Sequence, residues 1–399
     1  MEKDHFEKPY FFFLDSSGGG RQSIAAWDPV KTLISKPGED FFETLREEIR
    51  KTEKGIWIGY FGYELYSETE KKVPAREPDL IPKGIFCWYD HTMKRTGPVP
   101  SENFLSPSRY ALPGFAARSK KFSSGHPFVS SNFPRPEYLK SIKTIKDYIT
   151  AGDCYQVNLS QRFTIPTEDE PYEIYQRLRT ISPAPFSAFL NLGDAQILSS
   201  SPESFLELNG RKVTTRPIKG TRPRSGDPAT DVGLKEELSL STKDRAELLM
   251  ITDLERNDLG RVCKPGSIRV SELQRIESYA QVHHLVSTIE GELAEGKDVI
   301  DLLKATFPGG SITGAPKIRA MEIIRELEPD PRNVYCGAIG YIDPKEGKAQ
   351  FNVAIRTMIL KNKTAYFWAG GGIVADSDPE KEYEETLVKA KGMREALTN

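Results

Sequence analysis

Five short runs rich in β-branched and aromatic residues, YQVNLSQRFTI, FSAFLNL, AQILSS, SFLEL and KVTTRPI, crowd the stretch between residues 155 and 218. They follow one another with short turns, and parallel strands need crossovers of a dozen or more residues, so the pattern predicts antiparallel pairing. Three more runs, VYCGAIGYID, QFNVAIRTMIL and TAYFWAG, gather near the C-terminal end, and PYFFFL, IWIGYF and GIFCWY near the start. Strands in blocks, rather than alternating one by one with helices, point to an α+β fold.

Helical spacing fills the gaps. FFETLREEIRK reads as an amphipathic helix, and RPEYLKSIKTIKDYITAGDCY sets Tyr138, Ile142, Ile145 and Ile149 on one face with Gly152 ending it. Helices are expected over about 228 to 254 and 297 to 327, and a closing helix starts with Asp378 as N-cap and Pro379 in first position. Residues 97 to 136, dense in Pro, Ser and Gly, read as a linker; the chain is expected to divide into an N-terminal sheet region, 1–120, intertwined with a catalytic domain, 121–399. Composition removes several classes of function. The 55 basic and 57 acidic residues nearly cancel, giving no electrostatic footprint for nucleic acid or an anionic membrane. No run approaches the length of a membrane-spanning helix or a signal segment. Four scattered cysteines form neither a zinc pattern nor a disulfide framework, so a soluble, cytoplasmic protein is expected.

Several residues invite chemistry. TTRPIKGTRPRSG carries Lys219 at the end of a β-propensity run, beside Gly220 and three arginines; on local sequence alone a solvated lysine on a turn is the plainer explanation, ahead of a reactive one. Glu382, Glu385 and Lys389 share one face of the closing helix, and Asp244 and Glu247 share one face of another, next to the apolar run LLMI. Each is either a solvated charged face or half of a site for a hard cation such as Mg²⁺. AGGGIVADSDPE leaves a strand through Gly370, Gly371 and Gly372, as a tight connection or as a set of N–H donors for an anion beside a helix start. FPGGSITGAPK lacks the Lys-Ser/Thr ending of a nucleotide-binding P-loop. His284 sits in an apolar segment, where a core histidine is the plainer explanation. Gln156 and Asn158 lie among apolar neighbours on a strand, so at least one amide faces inward and needs a partner.

Taken in order, AGDCYQVNLSQRF, SSSPESF, TRPIKGTRPR, KDRAELLMITDLERNDLGRV, VHHLVSTIEGEL, FPGGSITGAPKIRAMEIIRELEP, GAIGYID, NVAIRTMIL, AGGGIVADSDPEKEYEET and KA resemble the chorismate-utilising enzymes, the anthranilate, aminodeoxychorismate, isochorismate and salicylate synthases. The resemblance runs from about residue 135 to the end and is looser before it. It implies an anthranilate synthase component I-like two-layered α/β sandwich with large antiparallel sheets and outer helices. Within the family, Pro217-Ile218-Lys219-Gly220-Thr221 resembles the aminodeoxychorismate branch, where anthranilate synthase has alanine for the lysine. Gln156 stands where isochorismate and salicylate synthases place a water-activating lysine, which disfavours attack by water.

The resemblance further implies a transaminase-class reaction on chorismate. Lys219 would be the nucleophile, Glu203 the general acid, and His284 a residue near the ring. Glu247 and Glu385 would hold Mg²⁺, supported by Asp244 and Glu382. Gln156, Gly220, Thr221, Thr313, Tyr341, Arg356, Gly370, Gly371, Gly372 and Lys389 would contact substrate. Ammonia would come from solution or from a separate glutamine amidotransferase subunit, because no glutaminase Cys-His-Glu set is evident, and no fused lyase is expected. FLDSS, with Ser16, gives weak support for a bound tryptophan. The rival readings are anthranilate synthase component I and a non-catalytic subunit that senses chorismate or tryptophan.

Overall fold

The computed structural model describes residues 3–17, 22–96, 130–279 and 281–398. The expected linker lies outside the described residues except for its last stretch, as does the proposed boundary at 120/121. Two ten-stranded sheets form the body, and every strand pair is antiparallel. In the first sheet, Gln156–Pro166 pairs with Thr364–Ile373, and the order continues through Thr357–Lys361, Ala195–Ser201 and Phe186–Asn191 to the N-terminal strands Phe12–Asp15 and Gln22–Ala26. The second runs from Ile218–Pro223 through Val282–Glu292, Lys212–Arg216, Ser204–Asn209, Lys348–Val353 and Ala338–Asp343 to Ile56–Phe61 and Gly84–Tyr89. The N-terminal strands thus enter both sheets.

The triplet Phe11-Phe12-Phe13 shows why this sequence needs layers. Side chains alternate across a strand, and all three rings are buried. Phe12 joins the large core that includes Ile58 and Phe351 of the second sheet, while Phe11 and Phe13 face the opposite way. There they meet Ile174, Tyr175 and Leu178 of the helix Pro171–Ile181 and Met393 and Leu397 of the closing helix Pro379–Thr398. A strand covered on both faces reads as a continuous apolar run.

The expected elements appear with instructive changes. The helix Arg135–Ala151 buries Tyr138, Ile142 and Ile145, and Gly152 ends it in the left-handed conformation at φ 85°. Asp378 caps the closing helix by accepting the Lys381 amide at 3.0 Å. The helix expected over 228 to 254 is two helices, Pro228–Leu240 and Thr242–Gly260, because Ser241 breaks the first and its hydroxyl caps the second. The one over 297 to 327 is likewise two, Val299–Thr306 and Lys317–Leu327, parted by the Pro-Gly-Gly stretch. A helix, not a short turn, separates the first two strands of the opening pattern. The hairpin Arg269–Ser278 with Val282–Glu292 was not anticipated, since its outer strand alternates exposed and half-buried residues and carries almost no apolar signal.

Candidate active site

Pro217 has no N–H to give a ladder, and it divides KVTTRPIKGTRP into Lys212–Arg216 and the edge strand Ile218–Pro223. Lys219 therefore stands in a strand, not on a turn. Gly220 follows at φ 71°, and the register against Val282–Glu292 shifts between Lys219 and Thr221. A bulge of this kind re-aims side chains. The glycine is required twice over, because a Cβ there would lie 2.8 Å from Asp244 Cγ.

The bulge opens on a cavity of about 430 Å³. Its wall brings together Glu203, Lys219, Gly220, Thr221, Asp244, Glu247, His284, Arg356, Gly370, Gly372, Glu382, Glu385 and Lys389, all expected from sequence. The Lys219 ammonium donates to the Ser311 carbonyl at 3.2 Å, and burial lowers its pKa against the pull of Glu247 and Glu203. Burial raises the carboxyl of Glu203, against the opposing field of Lys219. The pair is thus biased toward a neutral amine beside a neutral acid, which is the protonation state a nucleophile and a proton donor need. His284 shares a 2.9 Å hydrogen bond with Thr221 Oγ1, and burial, with Arg356 adding to it, brings its pKa down to about 4. It is a neutral imidazole at pH 7. Arg356 holds a left-handed backbone at φ 52°, a conformation that side chains rarely adopt and that clusters at functional sites.

The acidic helices meet across this cavity. Glu382 accepts from Ser377 Oγ at 2.7 Å, and Glu385 pairs with Lys389 at 2.6 Å. Burial would raise Glu385, but Lys389, Lys243 and Lys219 outweigh it and hold the carboxyl below its usual range; burial raises Glu247. Lys243 lies 3.9 Å from Glu247 Oε1 and 3.6 Å from Glu382 Oε1, so a positive charge already bridges the two helices. All-oxygen donors that tolerate a cation between them suit a hard divalent ion. Mg²⁺ commonly takes one or two carboxylates and fills its octahedron with water and substrate oxygens. Among the described residues no group of three or more His, Cys, Asp or Glu is arranged to hold a metal ion by itself.

The three glycines are not a loop. They lie inside the strand Thr364–Ile373, paired in register with Leu159 and its neighbours, so the expectation of a nest beside a helix start is corrected. What they provide is clearance. A Cβ on Gly370 would sit 2.5 Å from the Leu159 carbonyl, and one on Gly371 3.2 Å from Glu382 Oε2. Lys389 donates to the Gly370 carbonyl at 2.9 Å. Gln156 and Asn158 share a strand face. Asn158 lines the cavity, whereas Gln156 lies behind Gly372, whose Cβ position is 1.9 Å from Gln156 Nε2. Asn158 Oδ1 is buried with no hydrogen-bond partner among the described residues. Asn158 is thus the amide that reaches the cavity; the pattern of an inward amide was legible, its identity was not.

Besides Gln156, three expected site residues fall elsewhere. Thr313 is fully buried, its hydroxyl donates to the Gly309 carbonyl at 3.0 Å, and it does not line the cavity. Tyr341 lies five strands from the Lys219 strand, on the order of 20 Å at the spacing of neighbouring strands. It lines a separate cavity of about 30 Å³ with Leu14, Asp15, Phe186 and Ile339. Ser16 adjoins that second cavity, and its amide donates to Ser23 Oγ at 3.0 Å. This space has room for one or two waters. Ser311, Lys243, Tyr335 and Trp368 complete the main wall without having been singled out from sequence.

Comparison with known proteins identifies the family. The family model of chorismate binding enzymes matches residues 10–395. Aminodeoxychorismate synthase component 1 of Salmonella typhimurium is 51% identical over 354 residues, covering 87% of this chain and 77% of that protein. Anthranilate synthase component 1 of Synechocystis sp. is 39% identical over 464 residues, covering 98% and 91%. The crystal structure of anthranilate synthase component I from Streptococcus pneumoniae superposes with a TM-score of 0.80 at 32% identity, covering 94% and 92%. By sequence and by fold, the chain belongs to the chorismate binding enzymes.

Proposed function

We propose that this enzyme converts chorismate and ammonia to 4-amino-4-deoxychorismate and water, with the ammonia supplied by a separate glutamine amidotransferase subunit. The observation that carries the reading is Lys219, half-buried, in one cavity with the buried acid Glu203. The similarity to aminodeoxychorismate synthase component 1 of Salmonella typhimurium supports it.

The substrate is a dianion whose C4 hydroxyl is a poor leaving group. Arg356 and Lys389 supply positive charge for its carboxylates, Arg356 through a fork that matches a carboxylate. Glu247 and Glu385 would hold Mg²⁺, with Asp244 and Glu382 beside them, and the ion would add a grip on the ring carboxylate. The neutral amine of Lys219 attacks C2 while the ring double bond shifts and Glu203 protonates the departing C4 hydroxyl, which leaves as water. Ammonia then attacks C4, the double bond shifts back, and the Lys219 amine is expelled from C2. Asn158 Oδ1, buried and unpaired among the described residues, would accept a hydrogen bond from incoming ammonia. An unperturbed lysine would be neutral in about one part in a thousand near pH 7.4, so the lowered pKa bears directly on rate.

Incubation with chorismate, MgCl₂ and ammonium, with products identified by mass, tests the reading. Aminodeoxychorismate is expected. Anthranilate would move the assignment to the activity named for the Synechocystis relative, and no turnover would favour a sensor.

A further inference from the structure

Glu255 stands two turns beyond Glu247 on the helix Thr242–Gly260, buried beneath the active site and without a part in the chemistry above. Its Oε2 lies 2.8 Å from Thr215 Oγ1, and the same hydroxyl lies 2.7 Å from the Phe205 carbonyl oxygen. A threonine hydroxyl owns one proton, and a carbonyl can only accept. Two contacts of that length therefore need a second proton, and only Glu255 can carry it. The Phe205 carbonyl has first claim on the hydroxyl. Phe205 sits at a register shift against both neighbouring strands, where the ladder is interrupted.

The charges around Glu255 agree with a neutral acid. Asp258 faces it with a carboxylate, Glu203 with an acid whose ionisation would add to that, and Lys317 is already bonded to Asp258 at 2.5 Å and to the Thr306 carbonyl at 2.9 Å. Among the described residues Glu255 makes no ion pair. Burial pushes its carboxyl up to about 8, with Thr215 opposing and Glu203 and Asp258 adding.

We propose that Glu255 is a positioning residue that stays a neutral carboxylic acid and donates its proton to Thr215, so that one buried hydrogen-bond chain fixes the backbone carrying Glu203 and Lys219. Phe205 is two residues after Glu203, and Thr215 is four before Lys219. The helix also packs beneath Gly310, where a Cβ would lie 2.7 Å from Leu254 Cδ2 and 3.7 Å from Glu255 Cγ. The next residue, Ser311, gives the carbonyl that accepts from Lys219. Ionisation of Glu255 would break the chain and place a second negative charge beside the acid.

The inference rests on Glu203 and Lys219 acting together, but not on which product forms, so the rate is read as chorismate consumed. Glu255→Gln keeps a neutral donor and is expected within about threefold of wild type at pH 7. Glu255→Leu, which removes the donor, is expected to fall about tenfold. Wild type should lose rate as pH rises through about 8, whereas Glu255→Gln should hold its rate to higher pH. Infrared difference spectra of the substrate-free protein supply a second measurement independent of turnover and of how well Glu255→Leu folds. In the wild-type-minus-Glu255→Gln difference, a protonated-carboxyl C=O band should be present at pH 7 and fade above pH 8, with the bands of other buried acids such as Glu203 and Glu64 cancelling. Absence of that band from the difference, or a Glu255→Gln rate as low as that of Glu255→Leu, overturns the proposal.

Discussion

At the scale of single residues, Lys219 carries the proposed chemistry and gives the sharpest test. Lys219→Ala leaves Arg356, Lys389 and the carboxylates in place, so chorismate affinity should stay within a few-fold while aminodeoxychorismate formation falls on the order of a thousandfold or more. Calorimetric binding and product mass read the two effects separately, and turnover near wild type would remove the covalent step. Lys219 was legible as a reactive residue only through resemblance, since its local sequence reads first as a turn, and Pro217 and Gly220 show their effect on the backbone only in the structure. His284 and Arg356 were legible only through resemblance. Nothing local says that His284 is neutral beside Thr221, or that Arg356 takes a left-handed backbone. Thr313 and Tyr341 were misplaced for a related reason, since a motif marks a stretch of chain and not the face or the cavity that its side chains meet.

At the scale of elements, two helices far apart in sequence make one acidic cluster. The i, i+3 spacing of Asp244 with Glu247 and of Glu382 with Glu385 fixed which carboxylates travel together. That the pairs face each other follows from packing, and Lys243 between them marks the meeting point. If both helices hold one ion, Glu247→Gln and Glu385→Gln should each weaken Mg²⁺ binding in the presence of chorismate by about tenfold or more. Glu382→Gln should act less, because that side chain is already engaged by Ser377. Isothermal titration with MgCl₂ measures this, and equal affinity in all variants would count against a site shared by the helices. The glycine run shows the opposite case. Its composition suggested a loop, yet the strand partner was decided by Leu159 and Asn158, more than 200 residues away in sequence.

For the whole molecule, two sheets enclose buried acids whose protons couple to folding. Glu64 is buried, its Oε1 accepts the Arg332 amide at 2.7 Å, and burial raises its carboxyl from 4.5 to about 7 against Arg332 and Arg76. A raised folded pKa contributes stability that is complete below the unfolded value and lost as pH climbs to the folded one. From pH 4.5 to 7 Glu64 should therefore withdraw about 3 kcal/mol. Denaturant midpoints at pH 5 and pH 7.5 should converge in Glu64→Gln relative to wild type; an unchanged difference would rule Glu64 out as the source. The sequence by itself determined the strand blocks, the Gly152 and Asp378 helix ends and the carboxylate spacing, because each depends on neighbours within a turn or a pleat. Only the tertiary structure decided which sheet each strand joins, that Asn158 rather than Gln156 reaches the cavity, and that Tyr341 belongs to another one. Those depend on the order of strands and on contacts between residues hundreds apart, which no local pattern encodes.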